Sequence, residues 1–124
     1  MIILVYLINR MPQLPNFTAE FFKALAHPLR IRILDALRAG EVGVSDLTTR
    51  LAVEQSTLSQ HLSVLRKSNI VAGRKHAQSV YYAVTDPALF RLLDDARQIF
   101  NNQLVDIQDL LAQISKSRPK RPAR

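Results

Sequence analysis

Apolar residues recur at the spacing of an α-helix through the first half of the chain. The pattern predicts helices over residues 16–26, from Pro28 to Gly40, from Ser45 to about Leu51, and over 56–67. Pro28 suits the first turn of a helix and Gly40 its end. Ser45 and Ser56 are credible N-caps, because a serine hydroxyl can accept a hydrogen bond from a free backbone amide. A short connection separates the last two helices, so we expect them to pack as a pair.

The period of the pattern changes after Asn69. Residues 70–72 and 80–84 are β-branched and aromatic, as in strands, and the polar residues 73–79 lie between them. This segment is therefore predicted to be a β-hairpin. Its expected tip carries three consecutive basic-type residues, Arg74, Lys75 and His76.

A last helix of about 30 residues is predicted from Pro87 onward, with Thr85 or Asp86 as its cap. Its apolar stripe follows heptad spacing through Leu93, Ala96, Phe100, Ile107, Leu110 and Ile114. A small domain cannot bury such a long stripe, so it is expected to pair with a second copy. The order of elements predicts a winged helix-turn-helix: mainly α with a small β-hairpin wing, α-α-α-α-β-β-α, dimeric.

The predicted helix over 56–67, here called the reading helix, has two unlike faces. Leu58, Leu62 and Leu65 form an apolar row. At about 100° per residue, the opposite side carries Ser56, Ser59, Gln60, Ser63 and Lys67. An ordinary solvated face usually carries Glu and Lys, whereas this one has small or hydrogen-bonding side chains and no acid. Hydroxyls permit close approach to base pairs and glutamine can pair with adenine through two hydrogen bonds, so the face suits the major groove of DNA.

Two further features adjoin this face. His61 lies on the flank of the apolar row, which favours a packed histidine bonded to backbone over a residue that reads bases. A surface hairpin often carries a charge or two by default. Three basic-type residues in a row beside the reading helix instead favour contact with phosphates or a minor groove.

Composition and charge agree with a nucleic-acid partner. The chain has 124 residues, of which 48% are hydrophobic, as in one globular domain. Its formal net charge is +7, and the basic excess lies in residues 42–85 and 116–124, which favours nucleic acid over a membrane surface as the partner. The sequence has no cysteine, which excludes disulfides and thiolate metal sites. It also lacks a Gly-rich phosphate loop and known catalytic motifs, so we predict that it is not an enzyme.

The two ends differ from the middle. The apolar start, MIILVYLI, is too short to span a bilayer and lacks the flanks of a signal peptide. It is either a strand-like or helical arm that packs on the body, or a leader with Met11 as the functional start. The expected organisation is an arm or leader over 1–16, a winged helix-turn-helix domain over 17–115, and a disordered basic tail over 116–124.

Several segments together resemble a known family. The chain reads FKALAHPLRIRIL from Phe22, SDL from Ser45, QSTLSQHLSVLR from Gln55, and Tyr81-Tyr82. Over about residues 17–115 it resembles the ArsR/SmtB family of bacterial transcriptional repressors.

The resemblance implies a homodimer whose first and last helices form the interface, with reading helices in successive major grooves and release from the operator when an inducer binds. It places DNA contacts on Ser56, Ser59 and Gln60. Gln55, just before the predicted helix, and Thr57, in its first turn, complete the candidate DNA contacts. Phe17 and Phe21 join the apolar stripe as candidate interface residues.

The metal-sensing residues of this family are missing from the sequence. Its thiolate sensors use cysteines, and its zinc and nickel sensors use histidines on the last helix, where residues 86–115 have none. Asp106 and Asp109 share a helix face there. Two carboxylates alone make a poor transition-metal site, so they are expected to be solvated charges. We predict no metal site and no cofactor.

The sequence thus predicts a cytoplasmic, homodimeric, sequence-specific regulator that binds double-stranded DNA through helix 56–67 and the 70–84 wing. Its operator is expected to be an inverted repeat with half-sites about one helical turn apart. Repression is favoured, activation is left open, and the inducer, a small molecule or a protein, is unknown. The rival interpretations are a non-specific nucleic-acid-binding protein driven by the wing and tail, and a protein-interaction module that uses this fold to dimerise.

Overall fold

The computed structural model describes residues 1–10 and 14–117. Its elements are α1 Ile2–Arg10, α2 Leu14–Leu25, α3 Pro28–Ala36, β1 Val42–Gly43, α4 Val44–Leu51, α5 Gln55–Lys67, β2 Val71–His76, β3 Ser79–Val84 and α6 Ala88–Ser117. They form two units, of which the first spans Met1–Leu89 and the second begins at Phe90. The predicted class, mainly helical with a small β-hairpin, is confirmed. An arm helix, α1, and a short strand, β1, are added to the expected order.

The sheet has three antiparallel strands in the order β1-β3-β2. β2 and β3 pair along their whole length, from Val71 opposite Val84 to His76 opposite Ser79. On the other edge, β1 adds two pairs, Val42 with Tyr82 and Gly43 with Tyr81. A strand of two residues is too short to show alternation in the sequence, which is why β1 was not predicted.

The hairpin turns at residues 77 and 78, so the predicted tip is wrong. β2 continues to His76, and the three basic-type residues 74–76 lie in a strand. The polar composition of this stretch favours a loop, but pairing with the aromatic β3 extends the strand. Ala77 adopts a φ of 55°, a conformation that glycine or asparagine usually marks, and alanine gives no such signal.

One apolar core holds the first unit together. Its most buried side chains come from α3 and the residue that ends it, from α4 and α5, and from the start of β2: Ile33, Leu34, Leu37, Leu47, Leu58, Leu62, Leu65 and Val71. The leucine row of the reading helix is buried as predicted. Each leucine stabilises the fold by about 1.5–3 kcal/mol through burial, so the core fixes the rotation of α5 about its axis. Among the described residues, no polar or charged side chain is buried.

Two predicted N-caps are wrong. α4 and α5 each begin one residue before the predicted serine, so Ser45 and Ser56 lie inside a first turn. The cap positions belong to Gly43 and Glu54, and neither bonds through its side chain. β1 runs directly into α4, a short turn precedes α5, and both cap residues have an extended backbone.

The predicted boundaries also shift at both ends. α2 begins at Leu14, inside the segment assigned to the arm, and α6 continues to Ser117, two residues into the predicted tail. α1 is a helix whose side chains from Ile2 to Asn9 are exposed. Met11 and residues 118–124 lie outside the described residues. Within the described ranges, every helix is too short or too polar to cross a bilayer.

Candidate nucleic-acid interface

α4 and α5 are joined by a tight turn of three residues, 52–54, as the sequence predicts. Ala52 ends α4 in the left-handed conformation, with φ 54° and ψ 47°. The Val53 amide donates to the carbonyl of Thr48 at 3.2 Å, and the Leu58 amide donates to the carbonyl of Glu54 at 3.0 Å. The turn therefore closes one helix and opens the next without a glycine.

The outer face of α5 lies where the helical arithmetic predicts it. Gln55, Ser56, Ser59, Gln60 and Lys67 are exposed, while Thr57 and Ser63 are half-buried. α5 contains no acidic residue. This face offers hydroxyl and amide groups that can both donate and accept hydrogen bonds, together with one ammonium group. Such a set can recognise the donor and acceptor pattern of base edges.

Arg30 links α5 to the end of α2. Its Nε donates to the carbonyl of Ala24 at 2.6 Å and its Nη2 to the carbonyl of Lys23 at 3.3 Å. Its Nη1 lies 3.1 Å from Nδ1 of His61. Because arginine has donors only, His61 accepts at Nδ1, and its neutral ring carries the proton on Nε2. One guanidinium group thus holds the reading helix to the carbonyl end of α2.

His61 is half-buried, as expected of a packed histidine, but the predicted bond to backbone is wrong because its partner is Arg30. Its ring centroid lies 4.2 Å from that of His27. The Nδ1 atom of His27 accepts from the Leu29 amide at 3.0 Å and caps α3. Partial burial, the His27 ring and the Arg30 guanidinium lower the pKa of His61. Arg30 lies 31 residues away, so local spacing gives no sign of this contact.

Strand alternation separates the basic residues of the hairpin. Arg74 lies opposite Tyr81, and Lys75 lies opposite Val80. Successive side chains of a strand point to opposite faces, so Lys75 shares the face of the buried Val71, and Arg74 lies on the other face. His76 lies on the same face as Arg74. All three basic-type residues are exposed, but they do not form one patch.

Arg74 is bound to a carboxylate that the sequence analysis missed. Its Nε donates to Oε2 of Glu41 at 3.0 Å, and its Nη2 donates to Oε1 at 2.6 Å. The guanidinium carbon also lies 5.4 Å from the centroid of the Tyr81 ring. The hydrogen bonds to Arg74 lower the pKa of Glu41, and the same bonds raise the pKa of Arg74. Glu41 is 33 residues away and precedes the unpredicted strand β1, so its role had no local signal.

A groove of about 360 Å³ lies between the helix-turn-helix and the sheet. Its lining includes Ser45 and Asp46 of α4, Gln55 and Ser59 of α5, and Ser79 and Tyr81 of β3. Gln55 and Ser59, two of the candidate DNA contacts, therefore adjoin the hairpin on one concave surface. The lining combines hydroxyl and amide groups with a single carboxylate, that of Asp46, which lies 3.7 Å from Arg50.

The candidate interface residues are mostly exposed apolar side chains. Phe17 of α2 and Phe100, Ile107, Leu110 and Ile114 of α6 are each more than half exposed. Ala96 is exposed and Phe21 is half-buried. Leu93 departs from the expected stripe, because it is only 6% exposed. The role of these residues in a dimer stays a prediction.

The carboxylates of α6 do not gather with other metal-ligating groups. Asp106 and Asp109 are exposed. Within residues 1–10 and 14–117, no three His, Asp or Glu side chains converge in a way that could hold a metal ion.

Solved structures of known proteins share this arrangement. The crystal structure of Rv0081 from Mycobacterium tuberculosis superposes with a TM-score of 0.69 at 40% identity, over 75% of this chain and 94% of that one. The solution structure of a fragment of Mb0332 from Mycobacterium bovis is described as a homodimeric winged helix-turn-helix DNA-binding domain. It superposes with a TM-score of 0.69 at 28% identity, over 77% of this chain and 88% of that one. The fold is a winged helix-turn-helix.

Sequence comparison identifies the family. Residues 27–72, which include α3, α4 and α5, match the family described as bacterial regulatory protein, arsR family. Rv0081, named as an uncharacterised HTH-type transcriptional regulator, is 40% identical over 99 residues, which cover 76% of this chain and 87% of that protein. The biofilm growth-associated repressor of Xylella fastidiosa is 35% identical over 88 residues, which cover 71% and 77%. This chain belongs to the ArsR family of bacterial regulatory proteins.

Proposed function

We propose that this protein is a sequence-specific DNA-binding transcriptional repressor that acts as a homodimer in the cytoplasm, without catalytic activity. The observation that carries the proposal is the outer face of α5, which is exposed, uncharged except for Lys67, and rich in hydrogen-bonding groups. The buried leucine row and the contact between Arg30 and His61 hold that face at one rotation. A similar protein of Xylella fastidiosa is named a repressor, which supports repression over activation.

In this proposal, α5 enters the major groove. Ser56, Ser59 and Gln60 contact base edges, because they are exposed and lie in the N-terminal half of α5. Their neighbours contact phosphates or the edges of the site: Gln55, Thr57, Ser63 and Lys67. Lys75 and His76 of the wing contact the DNA backbone. Arg74 differs from them, because its guanidinium already donates two hydrogen bonds to Glu41.

The dimer is proposed to form through the exposed apolar side chains of α6, with Phe17 and Phe21 of α2 as further contacts. α6 exposes Phe100, Ile107, Leu110 and Ile114 at heptad spacing, which is the pattern of helices that pair. The similar Mb0332 domain is described as homodimeric, which supports this assembly. Two reading helices in one dimer call for an inverted-repeat operator with half-sites about 34–36 Å apart.

The test is a fluorescence-anisotropy titration of the full chain against the intergenic DNA upstream of its own gene and against a scrambled duplex, each at two salt concentrations. We expect the upstream DNA to bind about a thousandfold more tightly, with or without a chelator. Equal and steeply salt-dependent binding to both duplexes would contradict the proposal. It would favour non-specific binding to nucleic acid, driven in part by the five basic residues of 116–124. Deletion of that segment would then abolish binding.

A further inference from the structure

The ion pair between Arg74 and Glu41 crosses the whole sheet. In the strand register, Arg74 of β2 lies opposite Tyr81 of the central β3, and Tyr81 lies opposite Gly43 of β1. Glu41 stands just before β1, on the far edge from Arg74. The guanidinium reaches it by lying over the Tyr81 ring, with its carbon 5.4 Å from the ring centroid. A Cβ atom at Gly43 would come within 3.3 Å of that ring, so the glycine leaves room for this arrangement.

The ion pair has good geometry but is open to solvent. Both oxygens of Glu41 accept hydrogen bonds from Arg74, at 2.6 and 3.0 Å, which is the paired geometry that arginine also uses with phosphate. The two side chains keep 56% and 35% of their surface exposed. Exposed ion pairs contribute little to the stability of the fold, but a DNA phosphate can take this guanidinium only if both hydrogen bonds to Glu41 are given up. Glu41 and a DNA phosphate are therefore alternative partners for the same guanidinium.

The ion pair with Glu41 neutralises one of the two formal positive charges of the hairpin. Residues 71–84 contain one arginine and one lysine, Arg74 and Lys75, which supply the formal positive charge of the hairpin. The hydrogen bonds and salt bridges found among the described residues give Arg74 a carboxylate partner and give Lys75 none. Each cation that neutralises a phosphate steepens the dependence of affinity on salt, whatever the DNA sequence. The partner of Arg74 therefore affects binding to all DNA.

We propose that Glu41 is a positioning residue that sets sequence-independent affinity: by holding Arg74 across the sheet, it withholds one wing cation from DNA phosphates and weakens binding to every duplex, while readout by α5 sets the preference for the operator. The inference rests on the proposed DNA-binding function. Glu41 does not touch DNA in this scheme and acts through Arg74. Its removal raises affinity for the operator and for a scrambled duplex alike and leaves their ratio unchanged.

The test compares Glu41→Gln with the wild type on a scrambled duplex and on the upstream DNA, from about 50 to 200 mM salt. Freed Arg74 adds one phosphate contact, so the logarithmic salt slope on the scrambled duplex steepens by about 0.9. The variant's gain in affinity over the wild type is then about 3.5-fold larger at the low-salt end than at the high-salt end. Glu20→Gln is the matched control, because it makes the same change of charge at another exposed glutamate, paired with Lys23 at 3.6 Å. It should leave the slope unchanged.

A double variant, Glu41→Gln with Arg74→Gln, identifies the cation responsible and should return the slope to the wild-type value. The proposal is overturned if Glu41→Gln has the same slope as Glu20→Gln. It is also overturned if Glu41→Gln weakens binding to both duplexes, because the pair would then support the wing. Thermal unfolding of each variant verifies that the chain is folded. If the wild type binds neither duplex, the proposed function itself is refuted. If the wild type prefers its operator but the Glu41 variants do not behave as expected, only the proposal about Glu41 is refuted.

Discussion

The reading helix α5 and the β2–β3 hairpin differ in the polar groups that they expose and in what holds those groups in place. The outer face of α5 is nearly uncharged, and its direction is fixed by a leucine row buried in the core. The hairpin carries charges, and one of them is held in place by an exposed ion pair. A group that distinguishes bases needs a rigid support, whereas a group that attracts phosphates needs charge and tolerates movement. The contrast assigns specificity to α5 and sequence-independent affinity to the hairpin.

The largest effect is expected where the support of α5 is removed. Leu58 is fully buried, so Leu58→Ala leaves a cavity and should lower the free energy of unfolding by about 2–5 kcal/mol. Chemical denaturation measures this loss. Val64→Ala is the matched control on the same helix, because Val64 is 37% exposed and its loss should be much smaller. Equal losses would mean that the leucine row does not fix the rotation of α5.

The next effect concerns readout alone. Gln60→Ala removes an exposed amide from the outer face, and we expect it to weaken operator binding by about 1–3 kcal/mol and to relax one base position. Binding to a scrambled duplex and the free energy of unfolding should change little, because the side chain is not part of the core. Titrations of operators substituted at single positions measure the effect. Equal losses on operator and scrambled DNA would show that Gln60 contacts the backbone.

The same contrast explains what the sequence could reveal. The faces of α5 were predictable, because Leu58, Leu62 and Leu65 recur at helical spacing and the helix is regular between them. The length of the turn before α5 and the cap of the last helix were also predictable. Asp86 accepts from the Ala88 amide at 2.9 Å, as one of the two expected caps would. These features depend on neighbours within one or two helical turns.

The hairpin and the contacts that fix the site were less predictable, because they depend on residues far apart in the chain. Glu41 meets Arg74 over 33 residues, and Arg30 meets His61 over 31. A left-handed alanine at position 77 carries no turn signal. Long-range pairing therefore decides which basic residue of the hairpin is bound to a carboxylate.

Within the hairpin, Lys75 and Arg74 should differ. Lys75→Ala should weaken binding to all duplexes alike and reduce the logarithmic salt slope by about 0.9, because it removes one phosphate contact. Arg74→Ala should reduce the slope by less, since Glu41 already engages its guanidinium. Anisotropy titrations at several salt concentrations measure both slopes. An unchanged slope for Lys75→Ala would show that Lys75 does not contact a DNA phosphate.

The smallest effect concerns the titration of His61, whose Nδ1 accepts from Arg30 and whose ring lies beside His27. Partial burial and these two neighbours lower its pKa in the folded protein, so the unfolded chain binds the proton more readily. The stabilisation of the folded protein by neutral His61 is therefore fully present above the ordinary histidine pKa of about 6.5. It is lost as pH falls through the lowered pKa of the folded state. His61→Gln keeps an acceptor for Arg30 but does not titrate. The melting temperature of His61→Gln should fall less than that of the wild type between about pH 7.5 and pH 5. Protonation of carboxylates lowers the melting temperature of both proteins equally, so the difference between them reports His61. Parallel curves would show that protonation of His61 leaves the support of α5 intact.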